Sequence, residues 1–71
     1  MKYQALLHKG PTSYGATVPD LPGVFAFGET AEETRELIAS AIDFHIRGLV
    51  ADGDPVPEPS DFELIEVPVP G

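Results

Sequence analysis

Cysteine is absent from the 71 residues. That excludes disulfides and the common thiolate zinc sites as sources of stability. A chain this short forms one domain and buries only about 60 % of the surface that its unfolded form exposes. Small domains usually supplement such a core with a disulfide, a metal or a partner subunit. Here the expected supplement is protein association, with a second copy, another polypeptide, or both.

Basic side chains are scarce. Four Lys and Arg stand against twelve Asp and Glu, for a formal charge of −8. Such a field repels a phosphate backbone, so direct nucleic-acid binding is not expected. It suits a basic protein partner, because opposite potentials speed encounter and fix orientation. No apolar stretch approaches the ~20 residues needed to span a bilayer. Met1-Lys2-Tyr3 leads at once into alternating sequence without the apolar segment of a signal peptide. A cytoplasmic location with no membrane contact is expected.

The motifs of common chemistries are also missing. No phosphate-binding loop or dinucleotide fingerprint occurs. Ser13, Ser40 and Ser60 have no Gly-x-Ser-x-Gly setting or neighbouring base. His8 and His45 lack the spacing of a zinc pair, and His45 shares a helix face with Ile38 and Ala41, which suits packing or an interface. No catalytic residue, metal or cofactor is expected.

What is present is a clear run of elements. Lys2 to His8 alternates with strand periodicity, Lys9-Gly10-Pro11-Thr12 supplies turn chemistry, and Ser13 to Val18 alternates again. Pro19-Asp20-Leu21-Pro22-Gly23 is the strongest punctuation: two prolines disfavour helix before them and Gly23 can take a positive φ. Asp20 reads as loop architecture, with its carboxylate closing an Asx-turn. Val24 to Phe27 is a short third strand. The period changes at Thr30, where Thr30-Ala31-Glu32-Glu33 makes a capping box, and the helix should run to Ala51 or Asp52 with Gly53 as its C-terminal cap. Three prolines in Asp54 to Ser60 enforce an extended loop. Phe62 to Val67 resumes strand alternation, and Pro68 and Pro70 end it. The expected fold is α+β, a two-layer β-β-β-α-β arrangement. It has a three-stranded antiparallel meander, one helix on one face, and a fourth strand parallel to the first in the order 3-2-1-4.

Pro19, Asp20, Leu21, Pro22 and Gly23, followed by Phe27-Gly28-Glu29-Thr30 and Glu33, resemble the signature of HicB-family antitoxins. Asp52-Gly53-Asp54-Pro55-Val56-Pro57-Glu58-Pro59-Ser60 is similar to that family's later D-G-x-x-[IV]-P-x-P segment. The ordered set covers most of the chain. The resemblance implies a remnant of the ribonuclease H architecture and a role in neutralising a HicA-type toxin, a small basic ribonuclease. Many members carry a C-terminal DNA-binding domain, and none is expected between Met1 and Gly71. A surviving nuclease is disfavoured because two-metal chemistry needs converging carboxylates, a ribonuclease H-like site has one of them on its first strand, and Lys2 to His8 contains no acid.

Two surfaces stand out. On the helix, Ala31, Ile38, Ala41, Ile42, His45 and Leu49 form the stripe expected against the sheet. Leu37 and Phe44 lie to one side of it and Ile46 to the other, so the apolar arc reaches roughly 200°, about twice what a surface helix needs. On the sheet, Tyr3, Ala5, Leu7, Tyr14, Ala16, Val18, Val24 and Ala26 should face the helix. The opposite face then carries Leu6, Phe25 and Phe27, which one helix cannot cover. Leu6, Phe25, Phe27, Leu37 and Phe44 are therefore the candidate partner or oligomer interface, for a homodimer or higher homo-oligomer and a basic toxin. A strand slip of one residue would instead turn Phe25 and Phe27 into the core. The other functional class compatible with the signature is a HicB-like oligomeric module without a toxin partner.

Overall fold

The alternating segments pair as expected. In the computed structural model, which describes residues 2–60 and 65, β1 (Leu6–Lys9), β2 (Tyr14–Thr17) and β3 (Phe25–Gly28) form an antiparallel meander in the order β1-β2-β3. Leu7 sits opposite Ala16, and Ala16 opposite Ala26, so these three share one face with Val18 and Val24. β1 starts four residues later than its alternation begins. Its partner strand ends at Thr17 and the chain turns at Pro19, which leaves Lys2 to Ala5 nothing on β2 to pair with. The expected fourth strand at Phe62 to Val67 falls outside the described residues except for Ile65, which is exposed and belongs to no strand.

The Pro19–Gly23 segment folds as two successive turns. The Leu21 amide donates to the Val18 carbonyl and the Val24 amide to the Leu21 carbonyl, both at 3.1 Å. Pro22 occupies the second position of the latter turn, and Gly23, at φ 87°, the third, as a type II turn requires. Leu21, fully buried at the junction, is the pivot that carries both turns into the core.

Helix α1 (Ala31–Asp52) begins where the cap chemistry places it. Thr30 is extended, and its hydroxyl accepts from the Glu33 amide at 3.0 Å. The returning contact from the Glu33 carboxylate, the other half of a capping box, does not form among the described hydrogen bonds. Thr34 serves the cap from the buried side, its hydroxyl donating to the Thr30 carbonyl at 2.7 Å. At the far end Gly53 takes φ 73°, its amide donates to the Val50 carbonyl, and the Asp54 amide donates to the Leu49 carbonyl at 2.9 Å. This is a Schellman closure, and it needs the left-handed residue that glycine supplies without strain.

The core is small: Ala16, Val18, Leu21, Val24 and Ile38 are its buried hydrophobics. Tyr3, Ala26, Ala41, Ile42 and Ile46 pack around them, half-buried. The helix lies chiefly over β3 and β2 and leaves β1 less covered. Leu7 is consequently still exposed on the helix side, and Ala5, expected beneath the helix, is exposed as well. Gly28 explains how the helix start comes so close. A Cβ there would stand 2.5 Å from the Thr34 hydroxyl and 3.1 Å from its amide nitrogen.

Candidate interaction surface

Strand register decides the character of the outer sheet face. Leu6, Thr17 and Phe25 form one cross-strand row, and His8, Gly15 and Phe27 the next. The slipped register that would bury the phenylalanines is not adopted. Phe25 is 59 % and Phe27 68 % exposed, and Leu6 is half-buried. The two rings meet edge to face, centroids 5.8 Å apart at 65°, a geometry that aromatic quadrupoles favour. Gly15 provides the bed for Phe27: a Cβ at that position would be 3.2 Å from the ring. Beside it lies a shallow depression of about 230 Å³ between the β1–β2 hairpin and Phe27, floored by Gly15, Ala16 and Thr17 and bordered by His8, Lys9 and Ser13.

The other candidate residues lie elsewhere. Leu37 is 41 % and Phe44 81 % exposed on the flank of α1, so the five do not form one patch. They mark two surfaces, an aromatic sheet face and an apolar helix flank.

The charge is distributed unevenly between them. No Asp or Glu precedes Asp20, and none occurs from Leu21 to Gly28, so the three strands carry no acid. Their charged or titratable side chains are His8, Lys9 and Tyr14. Glu32, Glu33, Glu36, Asp43 and Asp52 all sit on α1. The surface rich in aromatics is therefore not the surface rich in carboxylates, a separation that the net charge alone conceals. Among the described residues no cluster of His, Asp and Glu could hold a metal ion.

Asp20 does not close an Asx-turn. Its carboxylate accepts from the Ser60 amide at 2.8 Å and from the Ser60 hydroxyl at 2.7 Å, across forty residues of sequence. The backbone bond, and then the hydroxyl bond, hold its carboxyl below the usual range. Tyr3 adds a second brace, its hydroxyl donating to the Pro57 carbonyl. The proline-rich segment after the helix is thereby tied to the Pro19–Gly23 loop and to the chain's beginning. Ser60, Thr34 and Gly15 are the residues that sequence reasoning does not single out for these roles: Ser60 and Gly15 act through neighbours distant in sequence, and Thr34 is a polar residue whose burial has no local signal.

Several residues of the sequence signature have a structural task. Pro22 and Gly23 shape the turn, Leu21 anchors it, Asp20 holds Ser60, Gly28 admits Thr34, Thr30 caps the helix and Gly53 closes it. The family model for the HicB_like antitoxin of bacterial toxin-antitoxin systems matches residues 3–68. The chain belongs to the HicB-like antitoxin family. This is a non-enzymatic family. A curated relative is the "uncharacterized 14.9 kDa protein in rep-hol intergenic region" of Haemophilus phage HP1 (strain HP1c1), 35 % identical over 63 residues. The match covers 89 % of this chain and 47 % of the relative, so the chain spans about half of that protein's length. No solved structure matches the chain. No helix among the described residues of this HicB-like chain is long and apolar enough to cross a membrane.

Proposed function

We propose that this HicB-like chain is a single protein-binding domain that neutralises a basic HicA-type toxin in the cytoplasm by masking the toxin's RNA-binding surface. Leu6, Phe25 and Phe27 are the anchors. The observation that carries the reading is the exposed edge-to-face phenylalanine pair on a sheet face that no element among the described residues covers, in a domain whose net charge is opposite to that of an RNA-binding protein. A solitary exposed aromatic is ordinary; two in contact, flanked by Leu6 and bedded on glycine, form the kind of apolar centre that dominates interface energetics.

The division of charge assigns separate tasks. Carboxylates on α1 and in the loops supply the field that draws a basic partner in, within a Debye length of about 8 Å at physiological salt. The acid-free strands supply desolvated contact, where an unpaired carboxylate would oppose binding. Added salt should therefore slow association more than it speeds dissociation. Occupying the toxin's RNA site is sufficient for neutralisation, and the reading gives this chain no chemistry or nucleic-acid contact.

The test is co-expression with a HicA-type toxin, taken from any short basic open reading frame found beside the gene. Neutralisation predicts that the two chains co-purify and that mRNA cleavage by the toxin stops at one-to-one ratio or near it. A second reading, an oligomeric HicB-like module with no toxin, draws on the apolar helix flank at Leu37 and Phe44. It would gain if no basic neighbour binds and the chain still self-associates.

A further inference from the structure

The outer sheet face holds a single side chain that can change its charge. The register places Leu6, Thr17 and Phe25 in one row and His8, Gly15 and Phe27 in the next, both on the side away from α1. Lys9 and Tyr14 fall in the row that ends on Gly28, and Gly28 meets Thr34 of the helix, so that row belongs to the helix side. His8 is therefore the one ionisable residue of the three strands on the aromatic face. It is exposed, stands across Gly15 from Phe27, and with Phe27 walls the depression of about 230 Å³. Its charged surroundings are sparse. Lys9 edges the depression from the strand end, and the hairpin from Gly10 to Ser13 has no ionisable group. Glu29 follows Gly28 at the same end of the sheet, and no ion pair joins it to His8 among the described residues.

We infer that His8 is the specificity-determining residue of this face, admitting a basic partner as neutral imidazole and rejecting it as imidazolium. The inference rests on the toxin reading and adds the condition under which that surface is open. Histidine is the side chain whose charge ordinarily changes between about pH 5 and 8. In its neutral form the ring keeps one nitrogen as a hydrogen-bond acceptor, which a lysine or arginine reaching past Phe27 can use. Protonation turns both nitrogens into donors and sets a cation in the desolvated centre, facing another cation. Like charges so placed suppress binding strongly. Carboxylates ordinarily stay ionised down to about pH 5, so the field that attracts a basic partner persists over the same range. Acid therefore acts on the anchor and not on the approach: protonation and the partner compete, and affinity falls as pH falls.

Calorimetry of a HicA-type toxin against the parent, H8Q and H8K at about pH 8 and about pH 5.5 tests this, the two values bracketing the histidine range. His8 is exposed, so each variant should fold, and circular dichroism at both pH values confirms it. The parent should bind about tenfold or more weaker at the lower pH, as expected for one like-charge contact at an interface centre. H8Q keeps a side-chain acceptor without the titration. It should hold the parent's high-pH affinity within about threefold and lose most of the fall, the remainder belonging to groups of the toxin. H8K is cationic throughout and should bind about tenfold or more weaker than the parent even at the higher pH. A fall as steep in H8Q as in the parent, or an H8K that matches the parent at high pH, would overturn the role of His8 and leave the toxin reading standing. A toxin that binds none of the three at high pH would overturn both.

Discussion

Replacing Gly28 by alanine adds a single methyl group where, of the described glycines, a side chain would meet its neighbours most closely. That carbon would lie 2.5 Å from the Thr34 hydroxyl oxygen, 3.1 Å from the Thr34 amide nitrogen and 3.3 Å from its Cα. Rotating the Thr34 side chain would relieve only the first contact, and that hydroxyl is held by the Thr30 carbonyl at 2.7 Å. The other two contacts are with backbone in the first turn of α1, so relief means lifting the helix start away from β3. Overpacking of this kind costs about 1–3 kcal/mol. For a domain of this size each kcal/mol lowers the melting temperature by roughly 4–8 °C, so a fall of about 10 °C is expected. Thermal unfolding followed at 222 nm measures it. Thr34→Ala in the same background removes the worst contact while the Thr30 carbonyl keeps its bond from the Thr34 amide. The two substitutions should therefore be coupled by about 1 kcal/mol in the favourable direction. A G28A protein that melts with the parent, or strictly additive effects, would refute the account of this contact.

Thr30→Ala removes the acceptor for the Glu33 amide and should cost about 1 kcal/mol, seen as a lower melting temperature with the helix end at Gly53 unaffected. Gly23→Ala forces a side chain into the left-handed region at φ 87° and should destabilise by roughly 1–2 kcal/mol, measured by urea denaturation. The Asp20–Ser60 tether predicts an acid response. Asp20 has a folded pKa below its ordinary value of 3.8, so its contribution is complete above that value and is lost as pH falls through the lower, folded one. The Ser60 amide resonance should therefore shift with a midpoint below pH 3.8, and Asp20→Asn should abolish that titration.

The features legible in the sequence are those whose causes are local. The turn at Pro22-Gly23, the cap at Thr30 and the stop at Gly53 are each written within four residues, and the structure keeps all three. Alternation placed Phe25 and Phe27 on the face away from the helix because a strand has only two faces. Contacts between distant segments left no local mark. Nothing near Asp20 signals that its partner is Ser60, and nothing near Gly28 signals that the helix start needs the space of its missing side chain. Thr34 is polar and so carries no sequence signal of burial, yet its hydroxyl is satisfied by the helix's own backbone and the residue is fully buried. Strand ends are hidden for the same reason: alternation continues through Lys2 to Ala5, but a ladder stops where the neighbouring strand turns away.

Tying the aromatic face to the helix flank would have given one interface. Their separation gives two, with different chemistry, and this makes the functional proposal easier to test. Changes on one face should leave the other's partner bound.

Titration calorimetry of a basic HicA-type toxin that co-purifies with the chain, against the parent and the F25S/F27S variant, tests the functional reading most directly. Both rings are exposed, so the variant should keep its fold and melting behaviour while its affinity falls by about 100-fold or more, as expected when two central aromatic anchors are lost. F44G, on the helix flank, should bind the toxin like the parent. Undiminished binding by F25S/F27S would contradict the assignment of the open sheet face.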